Sequence, residues 1–142
     1  MNRTEIVLAA LAAAGQNATF TPVQVQKLFF LLDKEASHLL DGPHFTFAPY
    51  DYGPFDRGVY DELDGLSARG LAEVQSTGRY RKYSLTAQGF GQGAAMLGDL
   101  PENTREYVSS ISKWVRDLSF EQLVASIYKR YPEMKANSVF RG

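Results

Sequence analysis

The stretch from Tyr52 to Gly89, YGPFDRGVYDELDGLSARGLAEVQSTGRYRKYSLTAQG, most limits what this chain can fold into. Gly53-Pro54 reads as a turn. Asp56 is placed to cap a helix whose inward face is Val59, Leu63 and Leu66, and Gly70 stands where a helix stops. Leu71 to Val74 reads as a short strand, Ser76-Thr77-Gly78 as a turn, and Arg79 to Leu85 as the return strand. Thr86 is set to cap a further helix, diluted by Gly89, Gly91 and Gly93. The expectation is a mainly helical chain with a small β component.

The flanks supply more helices. The apolar opening predicts a helix from about Thr4 to Ala14, stopped at Gly15. Glu5 interrupts what would otherwise be the basic start of a leader, so this segment reads as the first core helix of a cytoplasmic protein. Thr21, Pro22 and Gln24 form the start of a second helix, as N-cap, first helical residue and capping-box partner. Its apolar positions run from Val25 to Leu40, and Phe30 and Leu31 make its middle apolar nearly all round. Such a helix is buried on several sides or lies at a subunit contact. Asp41-Gly42-Pro43 breaks it. Phe45, Phe47 and Tyr50 then alternate, but Pro49 demotes the segment to an edge strand or an extended loop.

Two helices close the chain. One carries a stripe of Tyr107, Val108, Ile111, Trp114, Val115 and Leu118. The other, capped by Ser119 with Gln122, carries Phe120, Leu123, Val124, Ile127, Tyr128 and Tyr131. Pro132 ends it, and the last ten residues read as loosely ordered. The element order is that of a winged helix-turn-helix. The fold class expected is therefore mainly α with a small β component (α+β): a winged-helix domain over residues 1–98 and a C-terminal helical extension over 99–142, packed on it as a single compact unit.

Composition narrows the function classes. The 142 residues are 44% apolar and 22% charged, with nine Phe and eight Tyr, enough for a real core. The absence of cysteine removes disulfides and thiol catalysis. No apolar run reaches the ~18 residues of a membrane span. A net charge of −1 does not favour a general nucleic-acid binder, but it leaves room for a local basic patch. The glycines at 89, 91 and 93 do not follow a strand as a phosphate loop would, and no nucleophile–base motif is present. His38, Asp41 and His44 straddle a helix end and make no metal-ligand spacing. No enzyme, metal or cofactor is expected.

The candidate binding residues conflict in charge. The hairpin carries Arg79, Arg81 and Lys82 among Tyr80 and Tyr83. Alternation puts Arg79, Arg81 and Tyr83 on one face, suited to adjacent phosphates. A solvated edge hairpin that uses charge to avoid pairing accounts for the same residues. On the preceding helix, Arg57 and Tyr60 are placed nearest a DNA groove, yet Asp61 and Asp64 would oppose phosphate. Gln24 and Lys27 on the second helix are further candidates for backbone phosphate.

Gly70-Leu71 and Leu85-Thr86-Ala87-Gln88-Gly89 resemble the helix–wing segment of winged-helix regulators of the PadR and MarR type. Gln26-Lys27-Leu28-Phe29-Phe30-Leu31-Leu32, followed by Tyr52-Gly53-Pro54-Phe55 and Val59-Tyr60, resembles the Panacea (SocA-like) antitoxin domain and the small bacterial YwgA-like proteins. That second resemblance covers residues 20–90 and implies a toxin-like protein partner. Two functions are thus expected. The first is a DNA-binding local transcriptional regulator, dimeric through its closing helices. The second is a protein-binding adaptor or antitoxin-like module, with Asp61 and Asp64 meeting a basic partner surface.

Overall fold

Every residue from Ile6 to Ala12 is buried, so the first helix, α1 (Arg3–Ala12), is covered on all sides. Asn2 and Glu5 close its start as a capping box, and it ends two residues earlier than Ala14. These features come from the computed structural model of the chain, which describes residues 1–140.

Helix α2 (Pro22–Ala36) begins as its sequence dictates, with Thr21 and Gln24 in a reciprocal capping box. It is buried continuously from Val25 to Leu32, including Gln26 and Lys27. A 3₁₀ turn (Ser37–Leu39) follows. The Asp33 carboxylate then accepts the backbone N–H groups of His44 and Phe45, both at 2.9 Å, and so holds the returning loop. Phe45 and Phe47 pack from that loop onto Phe29 and Phe30.

Strands β1 (Ala48–Tyr50) and β2 (Gly53–Phe55) form an antiparallel hairpin. This corrects the expected placement: Asp51-Tyr52 is the turn, and Gly53-Pro54 belongs to the return strand. Gly53, at φ +104°, accepts the reversal that the two-residue turn requires. Pro49 faces Pro54, neither can donate to the ladder, and the hairpin stays short.

Asp56 caps α3 (Arg57–Ala68) by accepting from the Gly58 N–H at 2.7 Å. Val59, Leu63 and Leu66 are its buried face, and Gly70 at φ +75° follows its end. Strand β3 (Ala72–Thr77) runs three residues past its expected end, β4 (Tyr80–Leu85) falls where the return strand was expected, and the turn moves to Gly78-Arg79. Phe20 and Tyr83 exchange two backbone hydrogen bonds of 2.8 Å, which adds a third, one-residue rung to this hairpin.

Helix α4 (Ala87–Gly98) is capped by Thr86. Two of its glycines are contact points. A Cβ at Gly89 would lie 1.8 Å from the Leu71 carbonyl oxygen, and one at Gly93 would lie 2.3 Å from that of Leu8. Helices α5 (Glu102–Asp117) and α6 (Phe120–Arg130) complete the chain, with a 3₁₀ turn (Pro132–Lys135) after them. Their Val108, Val115, Leu123 and Ile127 join Leu8, Leu28, Phe29 and Leu63 in one hydrophobic cluster. Among the described residues, then, the structure is mainly helical with two small antiparallel hairpins. No helix among them is long and apolar enough to cross a membrane.

The end of the chain is better anchored than its composition suggests. Asn137 donates to the Pro49 carbonyl at 3.1 Å, and the Val139 N–H donates to that of Asp51 at 2.9 Å. Phe140 packs against Phe120 and Tyr128. The last two of the ten residues expected to be loose lie outside the described ones.

Candidate binding groove

The start of α2, the β1–β2 turn, Tyr60 of α3, the β3–β4 tip and the α5–α6 junction meet around a groove of about 790 Å³. That volume lies in the range of ligand and peptide clefts.

Two neighbouring polar side chains of α2 hold one wall of the groove in place. The Gln26 amide donates to the Asp56 carbonyl at 3.0 Å and accepts from the Asp56 N–H at 2.9 Å. It thereby fixes the end of β2 and the cap of α3 together. Lys27 Nζ donates to the Pro54 carbonyl at 3.3 Å. Only 2% of Lys27 is exposed, and burial pushes its ammonium down to about 7. The sequence reading put Lys27 within reach of DNA phosphate. The structure places it inside, because the hairpin folds over this face of α2.

Aromatic side chains line the groove. Tyr60 stacks on the buried Tyr83, with centroids 6.0 Å apart, and meets Phe55 edge-on at 5.6 Å. Burial pushes the Tyr60 hydroxyl up to about 12. Tyr52 and Phe120 meet in a T-shaped pair at 5.0 Å. Tyr50, Tyr52, Tyr80 and Phe120 all line this groove and are 55%, 43%, 77% and 39% exposed. Only two other large apolar residues among those described, Leu39 and Val139, are as open to solvent. Phe120 was expected in the buried stripe of its helix. It stands instead on the helix's first residue, against Tyr52 of the β1–β2 turn.

The charged candidates fall into two groups. Arg79, Arg81 and Lys82 are exposed and line the groove together. The Tyr83 hydroxyl, ahead of the Asp64 carboxylate, holds the Arg81 guanidinium above its usual value. On α3, Arg57 lies 3.8 Å from Asp61 one turn along, both exposed, and neither lines the groove. Asp64 is exposed on the same helix. Gln24 is half-buried, and its side-chain oxygen is engaged by the Thr21 N–H at 2.9 Å. The structure thus gathers Gln24, Lys27, Tyr60, Arg79, Arg81 and Lys82 at one groove and leaves Arg57, Asp61 and Asp64 outside it.

Gln26 and Tyr50 were not among the expected binding residues, Tyr52 was read as part of a structural turn, and Phe120 was assigned to core packing. One signal pointed to the first of these: Gln26-Lys27 is a polar doublet inside an otherwise apolar run, and buried polar groups require partners. Compared with protein-family models and with curated proteins, the chain matches none.

Proposed function

We propose that this chain is a protein-binding module on a winged-helix scaffold, which holds a segment of a partner protein in the groove. The observation that carries this reading is the gathering of Tyr50, Tyr52, Tyr80 and Phe120, all exposed, around one cleft. Exposed aromatic side chains are enriched where proteins bind one another, and scattered elsewhere. The winged-helix reading is supported by the order α1, the Phe20 rung, α2, α3 and the β3–β4 hairpin. The resemblance to Panacea-type antitoxins supports a toxin-like partner.

Several features weigh against DNA as the main ligand. Lys27 is buried, the Gln24 oxygen serves a helix cap, and Arg57 sits beside Asp61. The β1–β2 hairpin also lies between α2 and α3, where a helix-turn-helix has a tight turn. A DNA-binding regulator is retained as the second reading for one reason: Arg79, Arg81 and Lys82 stand together at an exposed hairpin tip.

Affinity capture from the native host separates the two, with protein and DNA both analysed. The wild-type chain is compared with Tyr52→Ala/Phe120→Ala and with Arg79→Ala/Arg81→Ala. The protein reading expects a retained partner protein that the aromatic variant loses while its thermal unfolding stays cooperative. Retention of DNA alone, lost in the arginine variant and weakened steeply by salt, would replace it with the regulator reading.

A further inference from the structure

Lys27 is an uncommon residue to find at such a place. It is almost wholly buried, it lines the groove, and its one hydrogen bond is the 3.3 Å contact to the Pro54 carbonyl. An ammonium offers three donors. No carboxylate among the described residues lies within ion-pair distance of it, as the described pairs are Met1–Asp41, Arg57–Asp61 and Arg130–Glu35. A buried cation without an anion is costly, and a carboxylate brought to it recovers much of that cost. Gly53 keeps side-chain bulk away from this spot: a Cβ there would stand 3.6 Å from Nζ.

The surrounding charge has the same sign. Arg79, Arg81 and Lys82 line the groove with Lys27, against Asp51 as the only acid in its lining. The aromatic rim would exclude water around an entering acid and strengthen its pairing in a low-dielectric setting. We infer that the segment held in the groove is acidic, and that one of its carboxylates pairs with the Lys27 ammonium. This inference rests on the protein-binding reading and names the chemistry of the bound segment. Reach distinguishes a peptide from a nucleic acid. The phosphates of a duplex are fixed on a broad backbone and meet the exposed hairpin tip, whereas a carboxylate on a side-chain stem enters a cleft.

The test is a display selection of random dodecapeptides on the immobilised full chain. Enriched peptides are expected to carry Asp or Glu beside aromatic or aliphatic residues. The best of them is then synthesised with its acid intact and with that acid as the amide. On the wild-type chain the amide form should bind about tenfold or more weakly. On Lys27→Met the two forms should bind alike, while Arg79→Ala/Arg81→Ala should preserve the difference. Because a core variant can misfold, the side-chain NMR signal of Lys27 in the wild-type chain gives an independent reading. It should move with the acidic peptide and not with the amide.

An acid preference that survives in Lys27→Met, or a Lys27 signal that ignores the acid, overturns the pairing. Enriched peptides that need Tyr52 and Phe120 but lack acids overturn the inference and leave the protein-binding reading in place. A selection that enriches nothing, with DNA retained through the hairpin tip, removes both.

Discussion

Gln26 and Lys27 are adjacent, equally buried, and solve burial differently. The Gln26 amide is neutral and uses a donor and an acceptor on the Asp56 backbone. Gln26→Met would leave that N–H and C=O without their partner at a cost of about 2–4 kcal/mol, to be read from urea unfolding. A loss below about 1 kcal/mol would mean the clamp is idle. Lys27 carries a charge that burial opposes, so its folded value, about 7, lies below the 10.5 of the free side chain. Between those values the unfolded chain binds the proton that the folded chain has shed, so stability rises with pH across the window. Below about 7 both states are charged and the full burial penalty applies, on the order of a few kcal/mol. Lys27→Met removes that penalty but strands the Pro54 carbonyl, at about 1–3 kcal/mol. The variant should therefore melt higher than wild type at mildly acid pH and lower at strongly alkaline pH. Melting curves that stay parallel across the window would show that the ammonium is not desolvated.

At the scale of elements, α4 shows how a helix rich in glycine becomes an asset. Glycine in a helix interior costs about 1 kcal/mol relative to alanine. The sequence presents Gly89, Gly91 and Gly93 as equal weak points, but they are not equal. Gly93 lets α4 approach the Leu8 backbone and the Ala12 side chain of α1, whereas Gly91 faces open space. Gly91→Ala should stabilise by about 0.5–1 kcal/mol, and Gly93→Ala should destabilise by about 2 kcal/mol or more, because the blocking atom is backbone. Thermal unfolding of the two variants side by side decides, and shifts of the same sign would refute the close crossing. The same contrast explains which elements were legible in the sequence. The caps at Thr21, Asp56, Thr86 and Ser119 were legible because a cap closes within three residues. The β1–β2 hairpin was misplaced because its supports are remote: Gln26 and Lys27 on one side, and Asn137 and Val139 on the other. No local pattern reports such partners.

At the scale of the whole molecule, the groove exists only where the closing helices dock on the rest. Its lining runs from Thr21 to Leu123, so its charged tip was legible as a local motif while its aromatic rim was not. One carboxylate ties the docking together. Glu35 of α2 accepts from the Tyr107 hydroxyl of α5 at 2.5 Å, the Tyr131 hydroxyl at 2.7 Å and the Arg130 guanidinium at 2.5 Å. Burial raises the Glu35 carboxyl, but the two hydroxyls and Arg130 together outweigh it and hold it below the ordinary 4.5. The folded state therefore favours the charged form. Its stabilisation is complete above the unfolded value and disappears as pH falls through the lower folded one. Glu35→Gln keeps the shape and loses the charge, at a cost on the order of 1–3 kcal/mol at neutral pH. In acid, where the wild-type carboxyl is itself protonated, the two chains should melt together. The variant should also speed hydrogen exchange in α6 ahead of α1, because two of the three donors, Arg130 and Tyr131, stand at the end of α6, which loses its tether first. A melting difference that persists unchanged into acid, or exchange that quickens evenly along the chain, would assign Glu35 no part in docking the helices that complete the groove.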